Sequence, residues 1–239
     1  MTVTSVASNV AAPSRCPTDM VEVEGSYCAA AVEVCLDWRG PLGPSSLQCR
    51  EFQAPTKCLG KREPRHFCID RYEWPNLAGQ IPVVAVDWNE ARAACRSLGK
   101  RLCNDSEWTL ACEGPELLPY PYGYVRSQEA CNIDKPYRYP DFNAWAFPIN
   151  LGKRWLEVAR LDQREPSGAR QACVSPYGVH DMSGNVDEWV VNESGRPFVS
   201  GLKGGYWGPV RARCRPMTTA HDPRFAFYQV GFRCCADPR

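Results

Sequence analysis

The stretch Tyr177-Gly178-Val179-His180-Asp181-Met182-Ser183-Gly184-Asn185-Val186-Asp187-Glu188-Trp189 decides how the rest of the chain is read. It crowds oxygen-bearing side chains into a glycine-containing turn and then enters an apolar strand signal from Val186 to Val191. By itself it reads as an acidic turn before a strand. Downstream, further strand signals lie at Val199 to Trp207 and Tyr228 to Cys234, with turns at Ser194-Gly195 and Pro197. Upstream, Pro115 to Pro176 is rich in aromatics and proline, as in Tyr120-Pro121-Tyr122-Gly123-Tyr124 and Tyr137 to Phe147, and only Trp155 to Leu161 reads as briefly helical. A loop region of this length needs bridges or bound ions to order it.

The clear helical signals are short and well punctuated. Asp87-Trp88-Asn89-Glu90 has the form of a capping box with Asp in place of Ser, after which Ala91, Ala94, Cys95 and Leu98 share a face and Gly99 stops the helix. A second helix is expected from Asn104 or Asp105 to Gly114, amphipathic like the first and packed on the same sheet. Nearer the start, Met20-Val21-Glu22-Val23-Glu24 and His66 to Glu73 alternate as strands do. Residues 1 to 15 read as a lead-in, and 16 to 68 as the Cys-rich opening of one domain covering 16–239.

With 28 Lys and Arg against 27 Asp and Glu, the formal charge of +1 recruits no polyanion by its overall field, which argues against nucleic acid and anionic membrane as bulk partners. A 44% hydrophobic fraction is that of a folded globular chain. No apolar run approaches the roughly 18 residues that cross a bilayer. The 14 cysteines are scattered from Cys16 to Cys235 without paired C-x2-C units, so a disulfide framework in an oxidising compartment is the expectation, periplasmic or secreted. Met1 to Ser14 shows neither a basic segment nor an apolar one, so no signal peptide is visible in the chain as written. Cys131 with Cys173 would close the aromatic loop, while the pairing of the N-terminal cysteines stays open.

Four separated motifs occur in one order: Gly99-Lys100-Arg101-Leu102 with Ser106-Glu107-Trp108; the 177–189 stretch; Gly204-Gly205-Tyr206-Trp207; and Gly231-Phe232-Arg233-Cys234. Together, from about Met20 to the C terminus, they resemble the sulfatase-modifying-factor domain, the family of the formylglycine-generating enzyme. The resemblance implies an α+β, C-type-lectin-like fold with little regular structure, long loops, disulfides and structural calcium. The unaided reading of short strands, two helices and a large loop region agrees with it.

The family enzyme oxidises a substrate cysteine using copper(I) held by two thiolates in a loop after the Gly-Gly motif, and soft thiolates suit copper(I). After Gly204-Gly205 this chain reads Tyr206-Trp207-Gly208-Pro209-Val210-Arg211-Ala212-Arg213-Cys214, with a single cysteine. Aligned forward from Gly205, Pro209 falls on the first ligand position and Cys214 on the second. Aligned backward from Gly231-Phe232-Arg233-Cys234, Cys214 becomes a structural cysteine and both ligands are missing. The second register is supported by Cys95 and Cys112, 17 residues apart around the first motif as in the animal enzyme. By that resemblance Cys95 pairs with Cys234 and Cys112 with Cys214, and copper is not expected in either register.

The resemblance also assigns calcium ligands: Asp181 and Glu188 through carboxylates and Gly184 and Val186 through carbonyls at one site, with Asn132 and Ile133 opening another. His66, His180 and His221 form no recognised metal or catalytic spacing. Arg211, Arg213 and Arg215 read either as an anion site or as the solvated face of a strand with Cys214 inward. Tyr206-Trp207 and the aromatics of 120 to 155 either line a recognition surface or fill the core. The expected function is therefore that of a divergent, exported member binding a protein or peptide, as fold relatives on phage and bacterial surfaces do, with toxin immunity as one role that relatives lacking the copper cysteines suggest. The alternative is an oxidase of the same type using other ligands.

Overall fold

The computed structural model describes residues 14–39, 48–146 and 148–239. In chain order the elements are β1 (Met20–Cys28), β2 (Ala31–Val32), β3 (Cys35–Trp38), β4 (Cys49–Phe52), β5 (Lys57–Cys58), β6 (Arg62–Asp70), α1 (Trp88–Ser97), β7 (Arg101–Leu102) and α2 (Asp105–Glu113). After a 3-10 turn at Phe142–Ala144 come α3 (Leu151–Leu161), β8 (Asp187–Val191), β9 (Ser200–Lys203), β10 (Met217–Thr218), β11 (Val230–Phe232) and β12 (Cys234–Ala236). The lead-in lies outside the described residues up to position 13, and Arg15 is already tied down: its amide donates to Glu22 and its carbonyl accepts from Arg239.

Two four-stranded sheets carry the fold, ordered β1-β6-β12-β7 and β10-β9-β8-β11. β1 runs antiparallel to β6 over its whole length, Met20 opposite Asp70 and Cys28 opposite Arg62, because Val21 and Val23 alternate inward onto the face that also buries Phe67 and Ile69. The Tyr228 to Cys234 strand signal divides into β11 and β12, which belong to different sheets. Arg233 is the residue between them, fully buried at the crossing.

α1 forms as its caps require. Asp87 accepts from the Glu90 amide at 2.8 Å, and Glu90 accepts from the Asp87 amide at 2.8 Å. α2 departs from expectation: every residue from Ser106 to Glu113 is buried, so it is a core helix and not an amphipathic one. Its acids are tolerated because Arg101 grips Glu107 with two bonds of 2.7 Å and Arg215 pairs with Glu113 at 2.6 Å. Both helices pack on the β1-β6-β12-β7 sheet as expected, α2 against β1 and β6 and α1 against β7, but into separate clusters of the core. α2 packs with Phe67, Ile69 and Met182, whereas α1 packs with Leu102, Trp189 and Phe232. α3 begins four residues before the expected Trp155, at Leu151, because Asn150 caps it by accepting from the Lys153 amide.

All fourteen cysteines are paired: 16–68, 28–58, 35–49, 95–234, 103–235, 112–214 and 131–173. Three of these bridges join α1, the turn between β7 and α2, and the end of α2 to the C-terminal third, closing separations of 139, 132 and 102 residues. Bridges over such separations remove the most freedom from the unfolded chain. Among the described residues no helix is long and apolar enough to cross a membrane.

Candidate functional site

The 177–189 stretch closes on itself around a buried ion pair. Glu188 accepts from Arg233 Nε and Nη2, both at 2.7 Å, and from Trp108 Nε1 at 2.7 Å. Arg233 also donates to the carbonyls of His180 at 2.9 Å and Asp70 at 3.3 Å. Asp181, at φ +60°, accepts from the Gly168 amide at 2.7 Å. Glu73 receives the Val186 amide, the Asn185 side-chain amide and the Ser167 hydroxyl. Gly184 is required at its place: φ is +84°, and a Cβ there would lie 2.2 Å from the Asn132 carbonyl oxygen. Burial lifts Asp181 to about 6 against the pull of the Gly168 amide and Arg233. Glu73 is raised as well, by burial first and then by Asp181 and Glu188.

This arrangement leaves little for a cation between Asp181 and Glu188, because both Glu188 oxygens are engaged by Arg233. Among the described residues no three His, Cys, Asp or Glu side chains converge as metal ligands do. Asn132 differs. Its Nδ2 donates to Gln163 and Asn185, while its buried Oδ1 has no donor. An orphaned oxygen beside Ile133 fits a hard cation.

On the other side of β8 a pocket of about 270 Å³ opens where the chain turns through Gly204 and Gly205. Their φ values of +85° and +71° end β9 at Lys203, short of the expected Trp207, and leave walls without side chains. Asp187 and Arg211 face this pocket, each half-buried. Burial raises Asp187 to about 7, while Arg211 and the Gly205 amide act to lower it. Lys203 shows the pocket only its stem: its ammonium donates to the Arg215 carbonyl at 3.0 Å and lies 5.3 Å from the Trp108 ring centre. Burial drops Lys203 to about 8.

Pro209 lines the pocket, while Cys214 is buried and bonded to Cys112. With every cysteine in a disulfide, no thiolate pair is present, and the residues here do not fit copper(I). Residues 211–215 form no strand, and their arginines are not a solvated face. Arg213 pairs with Glu33 and lies over the Phe52 ring, and Arg215 reaches Glu113. Trp207 is not at the surface either. It is 2% exposed and packs with Tyr206 and Tyr228, because the Gly-Gly turn drives it into the core. Tyr206 shows only an edge, at the pocket. The histidines are structural: His66 pairs with Glu22, His180 stacks on Tyr72 and His221 on Phe225.

The exposed aromatic surface lies elsewhere, around α3. Tyr139, Phe142, Ile149, Leu151, Trp155 and Leu156 are all more than half exposed, Leu156 reaching 74%. The aromatic content of this region was legible in the sequence. Its outward orientation was not, since α3 turns only Val158, Leu161 and the Arg160-paired Glu157 inward.

Small sheets, long bridged loops and the closed 177–189 turn define a formylglycine-generating-enzyme-like fold. The family described as "Sulfatase-modifying factor enzyme 1-like domain" matches residues 51–238, and the chain belongs to it. Similar curated proteins include the bovine "Inactive C-alpha-formylglycine-generating enzyme 2", 28% identical over 70% of this chain and 57% of its own length. The formylglycine-generating enzyme of Thermomonospora curvata is 28% identical over 66% and 56%. This chain thus spans little more than half the length of these relatives, and identity does not separate the active from the inactive. Among solved structures, CarF superposes with a TM-score of 0.57 at 15% identity, covering 93% of this chain and 99% of CarF. Treponema denticola variable protein 1 gives 0.51 at 14% identity, covering 92% and 95%. At such identities the likeness is one of fold.

Proposed function

We propose that this domain is an exported binding module that has no copper oxidase chemistry and docks a protein or peptide on the aromatic surface around α3. The single observation that carries this reading is the pairing of all fourteen cysteines, Cys214 with Cys112 included, because a thiolate held in a disulfide is no ligand. The same disulfides favour the periplasm or the cell exterior. Exposed tyrosine, tryptophan and leucine side chains clustered on one surface are the composition of an interface. A secreted toxin is one partner class that the family resemblance suggests. Titration of the oxidised protein with copper(I), followed by incubation with a Cys-x-Pro-x-Arg peptide, should show no stoichiometric copper binding and no change in peptide mass. Aldehyde formation in the peptide would overturn the reading.

Calcium enters this reading at Asn132, whose buried Oδ1 has no donor, and not between Asp181 and Glu188, since Arg233 engages both oxygens of Glu188. Adding calcium should raise Tm, and Asn132→Ala should remove the rise. A rise that persists in Asn132→Ala and vanishes in Asp181→Asn would move the site to the other loop.

A further inference from the structure

Asp187 and Arg211 are opposite charges facing one pocket without satisfying each other. No Arg211 nitrogen comes within 4 Å of the Asp187 carboxylate, although the two sense each other electrostatically. Arg211 has one hydrogen bond among the described residues, from Nη2 to the Thr218 hydroxyl, which leaves most of its donors open. Asp187 is steadied by the Gly205 amide and has no ion-pair partner among the described residues. In the neighbouring core, by contrast, Glu188, Glu107 and Glu113 each hold an arginine at 2.6–2.7 Å.

We propose that the pocket beside Gly204 and Gly205 is a binding site for a free α-amino acid or a zwitterion of that size, its ammonium on Asp187 and its carboxylate on Arg211. A ligand carrying both charges satisfies both walls, whereas a simple cation meets Arg211 and a simple anion meets Asp187. Leu202, Val210 and Pro209 provide an apolar wall for the ligand's side chain. The volume of about 270 Å³ lies just below the roughly 300 Å³ at which drug-sized sites begin, which favours one residue over a long peptide. This site is independent of the α3 surface and of the absence of copper.

The test is calorimetric titration of the intact protein with the common amino acids, each beside its N-acetyl and methyl-ester forms. At least one free amino acid should bind, and blocking either its amine or its carboxylate should weaken it by about tenfold or more. Asp187→Asn and Arg211→Met should each have the same effect, with folding checked by an unchanged Tm. Because the blocked ligands probe the unaltered protein, the result does not depend on the variants folding. Absence of binding by every amino acid at about 10 mM, beyond the weakest affinity of interest, would overturn the proposal. So would equal binding of the blocked forms, and so would tighter binding of a simple amine such as butylamine than of any zwitterion.

Discussion

Asp187 and Glu188 are neighbours on β8, and strand alternation sends them to opposite faces. Glu188 enters the core, where Arg233, Trp108 and the crossing of the two sheets close around it. Asp187 emerges into the pocket at the Gly-Gly turn, with an arginine in view but out of reach. The same functional group is thus a structural rivet on one face and an open acceptor on the other. What separates them is whether the surrounding chain supplies every partner or leaves some to a ligand.

The largest way to break this comparison is to remove the rivet. Arg233→Met leaves Glu188 uncompensated in the core and should destabilise the fold by about 3–5 kcal/mol, as for breaking a buried pair from one side, measured by urea unfolding. The double change Arg233→Met with Glu188→Leu should recover much of that loss, because hydrophobic replacement of both partners is close to neutral. If the single variant unfolds like the parent, the pair does not hold the sheets together.

Next in size is the bridge that denies Cys214 to copper. Changing Cys112 and Cys214 together to Ser should cost about 2–5 kcal/mol through the freed unfolded chain. Changing Cys112 alone frees Cys214, and copper(I) should still not bind tightly, since Pro209 brings no second thiol. Tight copper binding by Cys112→Ser would show that another sulfur approaches the site.

The smallest effect belongs to the pocket. Asp187 has a folded-state value raised to about 7 from an ordinary 3.8, so the folded protein holds this proton more tightly than the unfolded chain does. Its contribution to stability is therefore present at low pH and is lost as pH rises from about 4 through 7. Asp187→Asn should flatten that part of the stability profile and leave stability at pH 8 unchanged or slightly higher. A loss of stability at pH 8 would mean that Asp187 has a structural cation of its own.

Local features were legible in the chain. The Asp87 and Glu90 capping box, the Gly99 stop and the Met20 to Glu24 alternation are each written within a few neighbouring residues, and each forms where it was read. The family also followed from sequence, because its motifs are short and ordered. Other readings went astray where the deciding partner lies far along the chain. α2 looks amphipathic until Arg101 and Arg215 neutralise its acids from outside the helix, which allows all of it to be buried. For Trp207 the sequence leaves surface and core open, and the Gly-Gly turn decides for the core by setting its ring against Tyr228.

The number of cysteines by itself implied a bridged protein in an oxidising place, since an even and scattered set has no other common use. Which cysteine meets which, that Arg233 belongs to Glu188, and that Asp187 and Arg211 share a pocket were decided only in three dimensions. Periodicity and capping are set by neighbours a few residues apart. The Glu188–Arg233 pair, 45 residues apart, and the bridges that span up to 139 depend on how two sheets and their loops close on one another.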